Sequence, residues 1–209
     1  MDSIEISTTN SKELTKGFLE FKENTEIKET IKVENLNFIE LAKSRRSIRG
    51  FEDKDLTKEQ LMQLIDAAQS APSAGNCQPW HFYVIKNKTL QTQIKEIAYN
   101  QEWILNAPVC IVVCTESARN EHRYGDRGRD LYCIQDTAAA IQNILLCAKD
   151  MGLGTCWCGA FDEVKLAEVL ELNEGVRPVA VIPVGYPEKD SYPLQNRRPI
   201  EEIVTFIEE

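Results

Sequence analysis

The chain lacks any apolar run approaching the roughly 20 residues that cross a bilayer as a helix, so no membrane association is expected. It lacks a surplus of positive charge, with 24 Lys and Arg against 33 Asp and Glu and a formal net charge of -9. Nucleic acids and anionic membranes both call for a broad basic face, so neither is an expected partner. The N-terminus has no basic segment leading into an apolar stretch, which makes a secretory signal unexpected and the cytoplasm the default compartment. There is no G-x-G-x-x-G after a strand and no G-x-x-x-x-G-K-[ST], so neither a Rossmann dinucleotide turn nor a Walker loop is signalled. Gly152-Leu153-Gly154 sits at a predicted helix end, the wrong topology for a dinucleotide turn. Only two histidines occur, His81 in a predicted strand and His122 in a polar connection, and no catalytic triad or general-base pair can be assembled. The seven cysteines are an odd set without an export signal, so disulfides are not expected. Cys156-Trp157-Cys158 has no second pair and no nearby His, so no metal site is expected and the thiols read as buried and inert.

What is present fits one soluble domain of 209 residues, since 43% hydrophobic and 27% charged residues are ordinary for a globular chain of that size. Residues 1–35 are polar, rich in Glu, Lys and Thr, and cannot build a core alone. They read as an N-terminal extension, either a helical arm or partly disordered, to a domain spanning 36–209. Asn37 with Glu40 resembles a capping box opening a short helix, and Thr57-Lys58-Glu59-Gln60 is a clearer one. The latter opens a helix with Leu61, Leu64, Ile65 and Ala68 on its core face. His81–Ile85 reads as a strand, 89–98 as a helix, and 109–115 as a buried strand. Residues 116–130 read as a mobile polar connection, 131–151 as a long helix, 155–160 as a strand, 162–172 as a helix, and 178–185 as a last central strand. Short strands alternating with helices give a three-layer α/β or α+β domain without internal repeats.

Two polar features stand out against this background. Arginines cluster at Arg45-Arg46-Ser47-Ile48-Arg49 and again at Arg197-Arg198, in a chain that is acidic overall. Arg45, Ser47 and Arg49 alternate, so an extended segment would project them to one side, as a phosphate and the polar chain behind it would need. The bland alternative is that they cap the preceding helix and pair with surface carboxylates. The second feature is Ala71-Pro72-Ser73-Ala74-Gly75-Asn76-Cys77-Gln78-Pro79-Trp80, a turn-forming run ending in an aromatic. It reads either as a loop anchored by a core Trp80 or as an edge where Asn76 and Gln78 meet a heterocycle.

Ser44–Phe51 and Ala71–Phe82 resemble the opening signatures of the FMN-dependent nitroreductase family. Gly152–Trp157 with Gly159, Pro183-Val184-Gly185-Tyr186-Pro187 and Arg197-Arg198-Pro199 resemble its later signatures, in the family's order, over about 38–207. The resemblance implies an α+β, three-layer fold with a central mixed β-sheet flanked by helices. It also implies an intertwined homodimer with FMN at the interface, bound by both chains. By position, Arg45 and Ser47 would contact the phosphate and ribityl chain together with Arg197, and Arg46 would act through its backbone. Arg49 would reach the N1/C2-carbonyl edge of the ring. Pro72, Ser73 and Ala74 would pack at the ring from the partner subunit, with Asn76 and Gln78 adding polar contacts. The backbone of Trp157, Cys158, Gly159 and Ala160 would pass the flavin, with Gly159 N–H near N5.

Three positions depart from the family pattern: Ala74 stands where many relatives have Ser, Gln195 where some have Lys, and Gly159 where some have an acid. Arg198 is the residue placed to compensate for Gln195. The implied chemistry is hydride transfer from NADH or NADPH to the flavin, then reduction of a nitroaromatic, quinone or similar small conjugated acceptor in ping-pong fashion, with no catalytic side chain. Alternatives on the same fold are reductive dehalogenation, flavin breakdown, or a non-catalytic FMN-binding redox protein. Another class is an acidic interaction domain without cofactor. The polar segment 119–129 reads either as a lid, with Arg123 or Arg127 meeting a nicotinamide dinucleotide or anionic substrate, or as a solvated loop. The physiological acceptor and the choice between NADH and NADPH stay open.

Overall fold

Every residue from Val109 to Thr115 is buried, and the alternation of side chains along this strand sorts the core into two layers. Val109, Ile111 and Val113 pack in one cluster with Leu61, Leu64, Ile141 and Ile144. Cys110, Val112 and Cys114 pack in another with Ile94, Ile104 and Leu166. The sheet is therefore sandwiched between helices, the arrangement a strand without a polar face requires.

The computed structural model describes residues 37–189, 192 and 195–208. The N-terminal extension expected at 1–35 lies outside them. In chain order the elements are α1 (Phe38–Ser44), α2 (Lys58–Gln69), β1 (Trp80–Ile85), α3 (Lys88–Ile97), α4 (Trp103–Asn106) and β2 (Val109–Glu116). Then follow α5 (Ala118–Arg127), a π-helical turn (Gly128–Tyr132), α6 (Cys133–Asp150), β3 (Gly154–Thr155), α7 (Glu163–Val169) and β4 (Val176–Gly185). The strand order is β1-β2-β4-β3, with each neighbouring pair antiparallel. Among the described residues, parallel pairing enters only through the isolated bridge between Ser47 and Thr155, so the mixed character expected of the sheet rests on that bridge.

Local chemistry sets the boundaries. The Thr57 hydroxyl accepts from Gln60 N–H, and the Gln60 side chain accepts from Thr57 N–H, a complete capping box opening α2. Asn37 caps α1 by accepting from Ile39 N–H, without the reciprocal Glu40 bond. The strand expected over 155–160 leaves the ladder after Thr155. The β4 residue next in line is Pro183, which has no N–H to return. Pairing resumes at Cys158, which exchanges two backbone hydrogen bonds of 2.9 Å with Val181. Pro178 lies beside a bulge of the same origin, where the β2–β4 register shifts between Val113 and Cys114.

The polar stretch 116–130, expected as a mobile connection, is instead α5 and the π turn. Its inward positions are Asn120 and Gly128, both buried, so the aliphatic periodicity that announces a helix is missing. Ion pairs of Arg129 with Glu121, Asp126 and Asp130 hold its outer face. Gly125 breaks the helix at φ 57° and ψ -147°, a conformation open essentially to glycine alone. No helix among the described residues is long and apolar enough to cross a membrane.

Candidate functional site

The arginine segment runs as an extended strip beside the sheet edge. Ile48 N–H donates to the Thr155 carbonyl at 2.8 Å, and Ile48 is buried at 7% exposure against Gly154. A Cβ on Gly154 would lie 2.8 Å from the Ile48 side chain, so the close approach of the strip depends on that glycine. With Ile48 turned inward, Ser47 and Arg49 face outward, the alternation expected of an extended segment. Glu188 N–H donates to Gly50 O at 3.1 Å, and Tyr192 Oη donates to the same carbonyl at 3.1 Å, which fixes the far end.

Arg45, Arg46, Ser47, Gln195 and Arg197 line one cleft of about 530 Å³, whose described lining includes no acidic residue. An adjoining cleft of about 380 Å³ is lined by Arg46, Ser47, Arg49, Tyr192 and Gln195. Two chain regions separated by some 150 positions thus converge on one cationic surface. Burial, then the charges of Arg197 and Arg46, hold the Arg45 guanidinium below its ordinary pKa. Arg46 donates through Nη1 to the Lys43 and Arg45 carbonyls at 2.6 and 2.7 Å, while its buried Nε has no partner among the described residues. The Arg49 guanidinium lies 5.0 Å from the centre of the Trp103 ring. Arg198, the residue expected to compensate for Gln195, bonds the carboxylate and carbonyl of Glu202 and is not among the described lining of either cleft.

The turn Ser73–Gln78 is bound to α5 and α6, and no hydrogen bond among the described residues links it to the arginine strip. Gly75, Asn76 and Gln78 are all left-handed, with φ of 55°, 57° and 49°. Ser73 Oγ accepts from Gln78 N–H at 3.0 Å, and Arg123 Nη1 donates to the Gly75 carbonyl at 2.9 Å. Arg123 therefore secures this turn, and Arg127 donates to Tyr132 Oη at 3.0 Å and lies against its ring. Both side chains sit on a helix, which corrects the expectation that 116–130 is a mobile connection.

A model of the nitroreductase family matches residues 42–101 and 94–186. The chain belongs to the nitroreductase family. It is similar to a solved nitroreductase family protein from Clostridium novyi, 36% identical, with a TM-score of 0.67 over 77% of this chain and 89% of that one. A Bacillus subtilis protein named FMN reductase [NAD(P)H] is 32% identical over 155 residues, covering 68% of this chain and 62% of that protein. The NADPH:FMN oxidoreductase of Vibrio harveyi, solved with NAD+, is 25% identical with a TM-score of 0.74 over 82% of this chain and 77% of that one.

In this nitroreductase-family protein the Trp157–Ala160 segment alternates sharply. Cys156 and Cys158 are buried at 3% and 2%, while Trp157, Gly159 and Ala160 are exposed. A Cβ on Gly159 would meet nothing nearer than Trp157 Nε1 at 3.9 Å, so open space lies beside its backbone. Trp103 Nε1–H donates to Cys158 Sγ at 3.1 Å. The Cys156 thiol is drawn down to about 7, first by a hydrogen bond from Cys158 and then by Arg49, Ser47 and Arg45, against burial, which raises it. Donating that bond, together with burial, pushes the Cys158 thiol up. Cys110 and Cys114 are pushed up to about 12, mainly by burial, and stay thiols.

One residue of this family member went unremarked in the sequence. Asp136 is buried near the start of α6, where Oδ1 accepts from Ala74 N–H at 3.0 Å and Oδ2 from Asn120 Nδ2 at 2.8 Å. The available signal was a carboxylate inside the long apolar pattern of α6, a position normally closed to an unpaired charge.

Proposed function

We propose that the protein is an FMN-dependent NAD(P)H oxidoreductase that reduces nitroaromatic, quinone or similar conjugated acceptors in a ping-pong cycle. The observation that carries this reading is the convergence of Arg45, Arg46, Ser47 and Arg197 on one cleft with no acid among its described lining. The names of the Bacillus subtilis and Vibrio harveyi relatives, an FMN reductase and an NADPH:FMN oxidoreductase, support the same cofactor and donor.

The residues fit a phosphate-bearing group. The guanidiniums of Arg45, Arg46 and Arg197 crowd one another, so positive charge is concentrated there without a described counter-charge. A phosphate monoester offers charge and acceptor oxygens for that set. FMN, when bound, supplies the redox chemistry, taking hydride at N5 from NAD(P)H and passing electrons to the acceptor.

The protein's own residues bind and orient. Arg45, Ser47 and Arg197 hold the phosphate and ribityl chain, and Arg46 contributes through the strip's backbone. Arg49, resting on Trp103, presents a cation to the N1/C2-carbonyl edge, where negative charge is best met by a fixed donor. The Trp157–Ala160 backbone passes the ring, exposed at Trp157, Gly159 and Ala160, with Gly159 N–H toward N5. Pro72, Ser73, Ala74, Asn76 and Gln78 approach from the partner subunit of a homodimer. That accounts for a turn built with care yet not bonded to the arginine strip of its own chain. In this reading the flavin domain spans 36–209 with 1–35 as an extension, and the reaction runs in the cytoplasm, where NAD(P)H is supplied.

The test is purified protein incubated with FMN, desalted, and treated anaerobically with NADH or NADPH. Yellow protein that bleaches and recovers colour on adding a quinone or nitroaromatic is the expected result. Colour without bleaching would assign a non-catalytic FMN-binding role. Protein that stays colourless after incubation would remove the flavin altogether.

A further inference from the structure

The Ser73–Gln78 turn holds an unfavourable backbone, because two of its left-handed residues, Asn76 and Gln78, are not glycine. Something must hold it there, and the strongest candidate is buried. Asp136 sits at 7% exposure and gives its two oxygens to Ala74 N–H and Asn120 Nδ2. A carboxylate withdrawn from water is costly unless its lone pairs are met, and one of its two protein donors here is the backbone of the turn itself. Asn120 is fixed in its own right, since a Cβ on Gly128 would lie 2.3 Å from the Asn120 carbonyl oxygen. From the exposed side, Arg123 Nη1 holds the Gly75 carbonyl at 2.9 Å.

We propose that Asp136 is a positioning residue for the flavin site. Through Ala74 N–H it fixes the turn in the conformation that meets the ring bound at the partner subunit, with Asn120 and Arg123 as supports. The inference rests on the reading that Pro72–Ala74 pack at that ring. A turn released from Asp136 spends less time competent, and the apparent FMN affinity falls by that fraction. The contribution is geometric, so an acceptor of the same shape without the charge should serve. Asp136→Asn keeps Oδ1 as acceptor for Ala74. Its new amide nitrogen can donate to the Asn120 Oδ1, which has no partner among the described residues, once the Asn120 amide turns over.

The experiment compares full-length wild type, Asp136→Ala, Asp136→Asn and Arg123→Ala by two readouts that need no turnover. These are hydrogen exchange of the amides at 73–78 in the FMN-free protein, and the FMN Kd by fluorescence titration. In Asp136→Ala the Ala74 amide should lose protection and the Kd should rise by about tenfold or more. Asp136→Asn should keep both within about threefold of wild type. If Asp136→Ala does not fold, Arg123→Ala, altered only at an exposed side chain, carries the test with a faster-exchanging turn and a Kd raised by about threefold. A variant whose turn exchanges freely while its Kd equals the wild-type value overturns the inference and leaves the flavin reading standing. Wild type that binds no FMN removes that reading and this inference with it.

Discussion

Replacing Arg197 by Ala takes one cation from a cleft where three guanidiniums converge without an acidic residue in the described lining. A charge-assisted hydrogen bond to phosphate contributes about 1.5–3 kcal/mol, so FMN binding should weaken by about 10- to 100-fold. Arg45→Ala should behave alike, and Arg198→Ala should not, because Arg198 is engaged with Glu202. Titration of apoprotein with FMN at fixed ionic strength checks all three, and an Arg198 effect equal to that of Arg197 would contradict the geometry. A second residue-scale expectation concerns Cys156, whose thiol is drawn down to about 7 by Cys158, Arg49, Ser47 and Arg45. The folded value lies below the unfolded one, so folding favours the thiolate. The resulting stabilisation is absent below about 7, grows as pH rises toward the ordinary 9.0, and is complete above it. Thiolate absorbance should therefore titrate near neutrality in wild type, vanish there in Cys156→Ser, and move to higher pH in Arg49→Gln, which removes the largest charge acting on it.

Among the elements, α2 offers the cleanest test, because both bonds of its capping box are present and its inner face is committed to the core. Thr57→Ala should cost about 1 kcal/mol of stability in denaturant unfolding while leaving the FMN Kd unchanged. Gly128→Ala should do both kinds of damage. The new Cβ meets the Asn120 carbonyl at 2.3 Å, which overpacks the π turn by about 1–3 kcal/mol and disturbs the support of Asp136. These two helices also show what the sequence could disclose. The start of α2 was legible because Thr57, Gln60, Leu61, Leu64 and Ala68 agree in cap, spacing and burial. The helix α5 was not, because its inward positions, Asn120 and Gly128, earn their place through hydrogen bonding and close approach rather than hydrophobicity. The outward alternation of Ser47 and Arg49 was legible, as was the helix-capping alternative, which Arg46 fulfils toward the Lys43 carbonyl, whereas the short β3 was not, since Pro183 interrupts the ladder from the opposite strand. Asp136 could be read only once the fold had brought a turn 62 positions away against it.

At the scale of the whole molecule, exposed large apolar side chains among the described residues gather near the C-terminus. Ile200, Ile203, Phe206 and Ile207 are between 63% and 94% exposed, and Phe38 at the other end of the domain is 67% exposed. None of the described residues from 200 onward is buried, so they contribute nothing to the core around β2 and β4. A run of large apolar side chains in water is unfavourable for a monomer and is usually covered by a partner. The proposed homodimer supplies one, and it also brings the Ser73–Gln78 turn of one subunit to the arginine strip of the other. Deleting 200–209 should then leave a folded domain with little change in secondary structure. Sedimentation should show it shifted toward monomer, and its FMN affinity should fall and become dependent on protein concentration, because a half-site lacks the partner's turn. Phe206→Ser with Ile207→Ser should move in the same direction without shortening the chain. A truncated protein that remains a dimer and binds FMN as tightly as wild type would place the interface elsewhere, leaving the tail's exposed face to another partner.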